Sequence, residues 1–288
     1  MKKLYILLCG ATAALLMAAC QGGKTAAADA EAGDTLEMKY AKLLTIVKHG
    51  DGEEASDEAE DIDYQYAEAI IANPWKAGTM LHRYILIPKG KEGDKTVAML
   101  ARRRSTGARC TTDTVRTPVE RSAVFIAPHC QLMYELGCQQ AIRGVCDLDY
   151  INIPDVKKRA AAGNAAAGKA SAGNVSSGNV SAENAAARNS IMDCGSSMSP
   201  DIERIIALKP EAILLSPFEN SGGYGKLDKL HIPIIEAADY MESSPLGRAE
   251  WMKFYGMLFG NEEGRGKREK VTEYRVLANQ RQIRSLRR

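Results

Sequence analysis

Apolar and polar positions change period several times along the chain. Leu4 to Ala19 is an apolar run behind Lys2 and Lys3; it is too short to remain as a membrane span and has the layout of an export signal. Strand-like runs follow at Leu43 to Lys48, Tyr64 to Ala72 and Met80 to Pro88. The turn-forming stretch Asn73 to Gly78 between the last two predicts a hairpin. Lys89 to Thr117 is charged and aperiodic and reads as a loop.

From Val119 short apolar runs alternate with helical spacing. Ser122 to Ala127 is β-branched and aromatic; His129 to Leu136 carries Leu132, Met133 and Leu136 at helical intervals, with Gly137 where a left-handed stop is wanted; Ala141 to Val145 is a second strand. Together they predict a βαβ unit. Residues 157–190 are mostly Ala, Gly, Asn and Ser, with too few large apolar side chains to offset the entropy of ordering, and are expected to be a disordered insertion. Ser199 is expected to cap the next helix with Pro200 in its first turn, and Ile202, Ile205 and Ile206 to line its buried face. Lys209-Pro210 ends that helix. Ala212 to Leu215 is a buried strand, Leu227 to Leu230 a helical turn and Ile232 to Ala237 another strand. The alternation predicts the α/β class: a doubly wound parallel sheet forming one Rossmann-like lobe, with an N-terminal β-hairpin extension.

Charge and cysteine content narrow the function. With 38 basic against 36 acidic residues the chain is near neutral. Its basic excess is confined to residues 265–288, while residues 51–63 are strongly acidic, so no nucleic-acid partner is expected. Leu16-Met17-Ala18-Ala19-Cys20 resembles a bacterial lipoprotein cleavage box, which implies lipidation of Cys20 and a membrane-anchored protein in the periplasm or at the cell surface. Five further cysteines, Cys110, Cys130, Cys138, Cys146 and Cys194, fit no zinc spacing, and an odd number leaves at least one free thiol. The expected segments are a signal peptide at 1–19, a tether at 20–40, a β-rich extension at 41–118, a lobe at 119–250 and a terminal segment at 251–288.

The succession Arg121 to Pro128, Glu135-Leu136-Gly137, Ile142 to Asp147, Ile202 to Pro210 with Ala212 to Leu215, and Leu230 to Pro233 resembles the first lobe of the helical-backbone class of periplasmic binding proteins. That class serves ABC importers of iron-siderophores, haem and cobalamin. The resemblance implies a ligand held between two lobes joined by a long helix, and a surface Glu, here Glu203, that docks on the permease with its ATPase. It also implies a helix beginning near Pro245, carried by Trp251, Met252, Tyr255 and Phe259, and then a second lobe. The Arg-rich stretch after Glu262 does not read as one, so 251–288 is expected to be a truncated inter-lobe helix with a basic tail, with ligand affinity below that of a two-lobed clamp.

Open α/β sheets bind ligands beyond the carboxyl ends of their strands. The expected ligand-binding residues are therefore His129, Cys130, Asp147, Tyr150, Phe218, Asn220, Tyr224, Asp239 and Tyr240. His129, Cys130 and Cys146 are the only obvious candidates for ligating a metal, and are read instead as a helix-start hydrogen-bonding group and small apolar residues. Neither a resident cofactor nor a catalytic residue is expected, since His129 and Cys130 are adjacent and lack an orienting third group. The alternative is a one-lobed accessory or interaction lipoprotein without a transport role.

Overall fold

The computed structural model describes residues 33–50, 64–91, 112–171, 189–219 and 223–261. The signal peptide, Cys20, Cys110, Asn220 and residues 262–288 lie outside them. Among the described residues the strands form two five-stranded sheets and a short two-stranded ribbon.

The first sheet runs in simple order through β1 (Asp34–Leu36), β2 (Leu44–His49), β3 (Tyr66–Ala72), β4 (Met80–Pro88) and β5 (Thr112–Thr117). The expected hairpin is its β3–β4 pair. Asn73 makes the turn, its side-chain oxygen accepting from the N–H groups of Trp75 and Lys76. Three expectations need correction. The extension is a whole sheet, because β5 lies inside the segment read as a loop and pairs parallel to β4 from Arg83–Thr112 to Pro88–Thr117. Its Thr-Asp-Thr-Val-Arg-Thr pattern, with only Val115 and Thr117 buried, is that of an edge strand and carries little apolar signal. The segment read as a tether also contributes β1, which pairs antiparallel to β2.

The second sheet is parallel throughout. In spatial order its strands are β12 (Ile234–Glu236), β11 (Ala212–Leu215), β6 (Ser122–Val124), β7 (Ile142–Val145) and β8 (Met192–Asp193). The chain moves outward from β6 to β8 and then returns to β11 and β12, so the direction of winding switches between β6 and β11. Strands β6, β11 and β12 are buried on both faces, which is why β11 and β12 read as continuous apolar runs. Val124, Val145 and Leu214 face one interior, while Ala123, Ile213 and Leu215 face the other beside Ile205.

Between β6 and β7 runs α1 (Ala127–Leu136), with Pro128 in its first turn. Gly137 ends it at φ 76°, donating to the carbonyls of Met133 and Tyr134. Next, α2 (Pro154–Ser171) occupies the first half of the stretch expected to be disordered. Val156 and Ala160 are buried, and Arg159 donates to the carbonyls of Asn189, Gln139 and Ile142, so tertiary contacts order a sequence that is weakly amphipathic by itself. Gly163 is required there, because a Cβ would lie 2.6 Å from the Ile191 carbonyl oxygen.

The following helix, α3 (Ile202–Leu208), is capped by Asp201, which accepts from the Arg204 N–H. Ser199 and Pro200 lie instead in β10 (Ser199–Pro200), paired with β9 (Gly195–Ser196). Ile205 is buried and Ile206 is exposed, so the inner face of α3 is Ile202, Ile205 and Leu208. After β12 come α4 (Pro245–Glu250), capped by Ser244, and α5 (Met252–Phe259), which Gly260 closes at φ 69°. The helix expected from Pro245 is thus broken at Trp251. Phe254, Tyr255, Met257 and Leu258 of α5 are buried in one apolar core with Ile71 and Leu86 of the first sheet and Val124 and Leu214 of the second.

Candidate ligand-binding site

Because β12, β11, β6, β7 and β8 are parallel, their carboxyl ends share one edge. With neighbouring strands about 4.8 Å apart, that edge is roughly 19 Å wide. The expected site residues in the described chain follow these strand ends: His129 and Cys130 after β6, Asp147 and Tyr150 after β7, Phe218 and Tyr224 after β11, and Asp239 and Tyr240 after β12.

The structure divides them into a floor and a rim. His129 and Cys130 have no accessible surface, and Asp239 is almost fully buried. His129 Nε2 stands 3.5 Å from Ser216 Oγ and 3.5 Å from Asp239 Oδ1, at the place where the winding of the sheet reverses. Both neighbours face the same ring nitrogen, whereas a nucleophile triad needs serine and carboxylate on opposite nitrogens. His129 therefore joins the loops after β6, β11 and β12 from beneath. Burial pushes the Cys130 thiol up to about 12, and it also raises the Cys146 and Cys194 thiols, which keeps all three protonated and poorly nucleophilic. The four cysteines within the described residues are buried, as small apolar side chains.

The rim is apolar and open. Tyr150 is 81% exposed, Phe218 52% and Tyr240 39%, and Met198, between β9 and β10, is 84% exposed. Among the described residues the only other large apolar side chain so exposed is Ile206. The Tyr240 hydroxyl donates to the Pro217 carbonyl at 2.6 Å, which fixes its ring beside the loop of Phe218. Asp147 adopts a left-handed conformation at φ 53°; its N–H donates to the Gly195 carbonyl and its carboxylate accepts from the Ser197 N–H at 3.2 Å, anchoring the loop that carries Met198. Of the expected residues, Tyr150, Phe218 and Tyr240 are thus surface groups, Asp147 and Asp239 shape loops, and His129 and Cys130 lie behind.

Tyr224 belongs to a different constellation. Its hydroxyl donates to Glu236 Oε1 at 2.6 Å, while Glu236 Oε2 lies 2.9 Å from His82 Nδ1 on β4. Asp113 on β5 approaches His82 Nε2 at 3.2 Å. Burial alone would lower the His82 pKa, but its bonds to Asp113 and Glu236 outweigh that and raise it above the ordinary 6.5. The first sheet thereby grips the loop before β12. Sequence reasoning missed His82, Glu236 and Met198, while Ser216 lies in the loop after β11 that it placed at the cleft. A carboxylate inside the apolar run Ile232 to Ala237 was the one available signal, since an acid is rarely buried without a partner.

A search of known protein families finds no match for the chain. Over 86 residues it is 36% identical to an uncharacterized lipoprotein of Methanocaldococcus jannaschii, a stretch amounting to 29% of this chain and 20% of that protein. Among solved structures it is similar to a possible iron-binding periplasmic solute-binding protein of Staphylococcus epidermidis, at 16% identity and a TM-score of 0.36, covering 55% of this chain and 49% of the other. A siderophore-binding protein bound to acinetobactin and ferric iron is similar at 22% identity and a TM-score of 0.36, over 57% of this chain and 47% of that one. The periplasmic vitamin B12-binding protein of Vibrio cholerae aligns at 17% identity and a TM-score of 0.36, over 58% and 52% of the two chains. The matched region thus spans a fifth of the curated relative and about half of each of these solved proteins.

Proposed function

We propose that the chain is the substrate-binding component of an ABC importer, an exported lipoprotein anchored through Cys20 that captures an iron-siderophore, haem or cobalamin and delivers it to the permease. The observation that supports this most is the apolar rim of Tyr150, Met198, Phe218 and Tyr240 along the carboxyl edge of a parallel sheet. Soluble proteins seldom leave several large apolar groups exposed on one edge unless something covers them. Aromatic faces and a polarizable thioether suit a flat conjugated macrocycle or the arms of a chelate. The work asked of the site is capture, for which protonated thiols and a rigid floor are sufficient. Glu203, exposed in the first turn of α3, is the residue offered to the permease.

Titration of the mature chain with haemin, cyanocobalamin and ferrioxamine B, followed by absorbance and calorimetry, tests this reading. Covering the exposed half of Phe218, about 100 Å², contributes about 2 kcal/mol, so Phe218→Ala should weaken the preferred ligand about thirtyfold. Tyr240→Ala should act in the same direction. Absence of binding to all three ligands, or binding indifferent to both variants, refutes the assignment. If Glu203 docks, Glu203→Ala abolishes capture by the detergent-solubilised permease and leaves ligand affinity unchanged.

A further inference from the structure

A cavity of about 520 Å³ lies at the opposite, amino edge of the parallel sheet, walled by Pro118, Glu120, Gln140, Arg143, Gly260 and Asn261 among others. Arg143 stands at a slip in strand register: Ser122 pairs with Ile142 and Ala123 with Gly144, leaving Arg143 as the extra residue. Bulges of this kind re-aim a side chain out of the ladder. Its Nε is buried and finds no hydrogen-bond partner among the described residues. Burial and the positive charges of Arg159 and Arg121 hold its guanidinium below its ordinary value.

The other cations of this edge are engaged. Arg121 donates to the Lys209 carbonyl at 3.1 Å and approaches Glu211 at 3.8 Å. Arg159 spends its donors on the carbonyls of Asn189, Gln139 and Ile142 at 2.7, 2.8 and 2.8 Å. Glu120, the acid in the cavity wall, is paired with Lys89 at 3.3 Å. Among the described residues Arg143 has no acidic partner, although it is partly withdrawn from water and surrounded by like charge. A cation partly withdrawn from water beside other cations is stabilised when an anion joins it.

We propose that this cavity is a second binding site, separate from the apolar rim, for a small phosphate- or carboxylate-bearing anion whose oxygens complete the hydrogen bonding of Arg143. A guanidinium presents parallel N–H donors that match two oxygens of such a group. At about 520 Å³ the space is ample for a small anion beside Arg143.

Sodium phosphate and sodium succinate, each titrated into the mature chain at an ionic strength held constant with sodium chloride, distinguish the two anion chemistries. Calorimetry should show saturable binding of at least one, and thermal unfolding a Tm that rises and levels off. Arg143→Gln should weaken that binding at least tenfold. Without added anion the same variant should melt no lower than the parent, because it removes an unpaired cation, whereas loss of a merely structural side chain would lower the Tm. The proposal is overturned if neither anion saturates, if saturable binding survives Arg143→Gln, or if the anion-free variant is destabilised.

Discussion

The segment linking β1 to β2 is held by two buried carboxylates, Glu242, which accepts from the Lys42 and Leu43 N–H groups, and Glu250 on α4, the sharper test of what such an arrangement contributes. Glu250 is 2% exposed and accepts from the N–H groups of Lys39 at 2.8 Å, Tyr40 at 2.6 Å and Ala41 at 2.6 Å, with the Lys253 ammonium at 3.3 Å. Each charge-assisted bond contributes about 1.5–3 kcal/mol, and the three are not additive, because released N–H groups near the surface recover water. Glu250→Ala should therefore cost roughly 3–4 kcal/mol, and Glu250→Gln, which keeps one acceptor oxygen, about half as much. Burial would raise the Glu250 pKa, but the N–H groups of Ala41, Lys39 and Tyr40 and the charge of Lys253 outweigh it, and the pKa lies below the ordinary 4.5. A depressed carboxyl stabilises the fold above its unfolded value and loses that contribution as pH falls through the folded value. Urea unfolding at pH 7 and at intervals down to pH 3 should show the parent losing stability in acid more steeply than Glu250→Gln. A Glu250→Ala variant within 1 kcal/mol of the parent, or matching acid profiles, would refute the reasoning.

Two further substitutions probe other joints. Gly163→Ala would ordinarily stabilise a helix by up to about 1 kcal/mol, but here the added Cβ meets the Ile191 carbonyl, so urea unfolding should show a loss of at least that size. His82 has a raised pKa, so its contribution is full below the unfolded value of 6.5 and is lost as pH rises through the folded value. His82→Ala should cost about 3 kcal/mol at pH 5.5 and less at pH 9, with the ring's NMR titration midpoint in the parent lying above 6.5. A midpoint below 6.5 would contradict the pairing with Asp113 and Glu236.

The parallel sheet was the more legible half of the fold because strands buried on both faces appear as uninterrupted apolar runs such as Ala212 to Leu215. Gly137 and Lys209-Pro210 marked helix ends for reasons local to the backbone. What escaped was decided by distant partners. β5 takes its order from β4, and α2 from carbonyls contributed by residues 139, 142 and 189, none of which leaves a period in its own sequence. Ser199-Pro200 carried a capping signal as good as Asp201, and only the β9–β10 pairing decides between them. Of the expected site, the alignment of strand ends was readable; the depth of each side chain was not. His129 and Phe218 both follow strands, yet one is sealed beneath the sheet edge and the other stands half in water.

Helix α5 has two sheets resting on it. Phe254 meets Tyr84 of the first sheet at 5.9 Å between ring centroids, and Tyr255 meets His129 beneath the aromatic rim at 6.0 Å. The N-terminal strands are therefore foundations rather than an appended cassette. A change deep in β4 can reach the edge of the opposite sheet through a single slab of packed rings, so substitutions that disturb the aromatic rim need not lie on it.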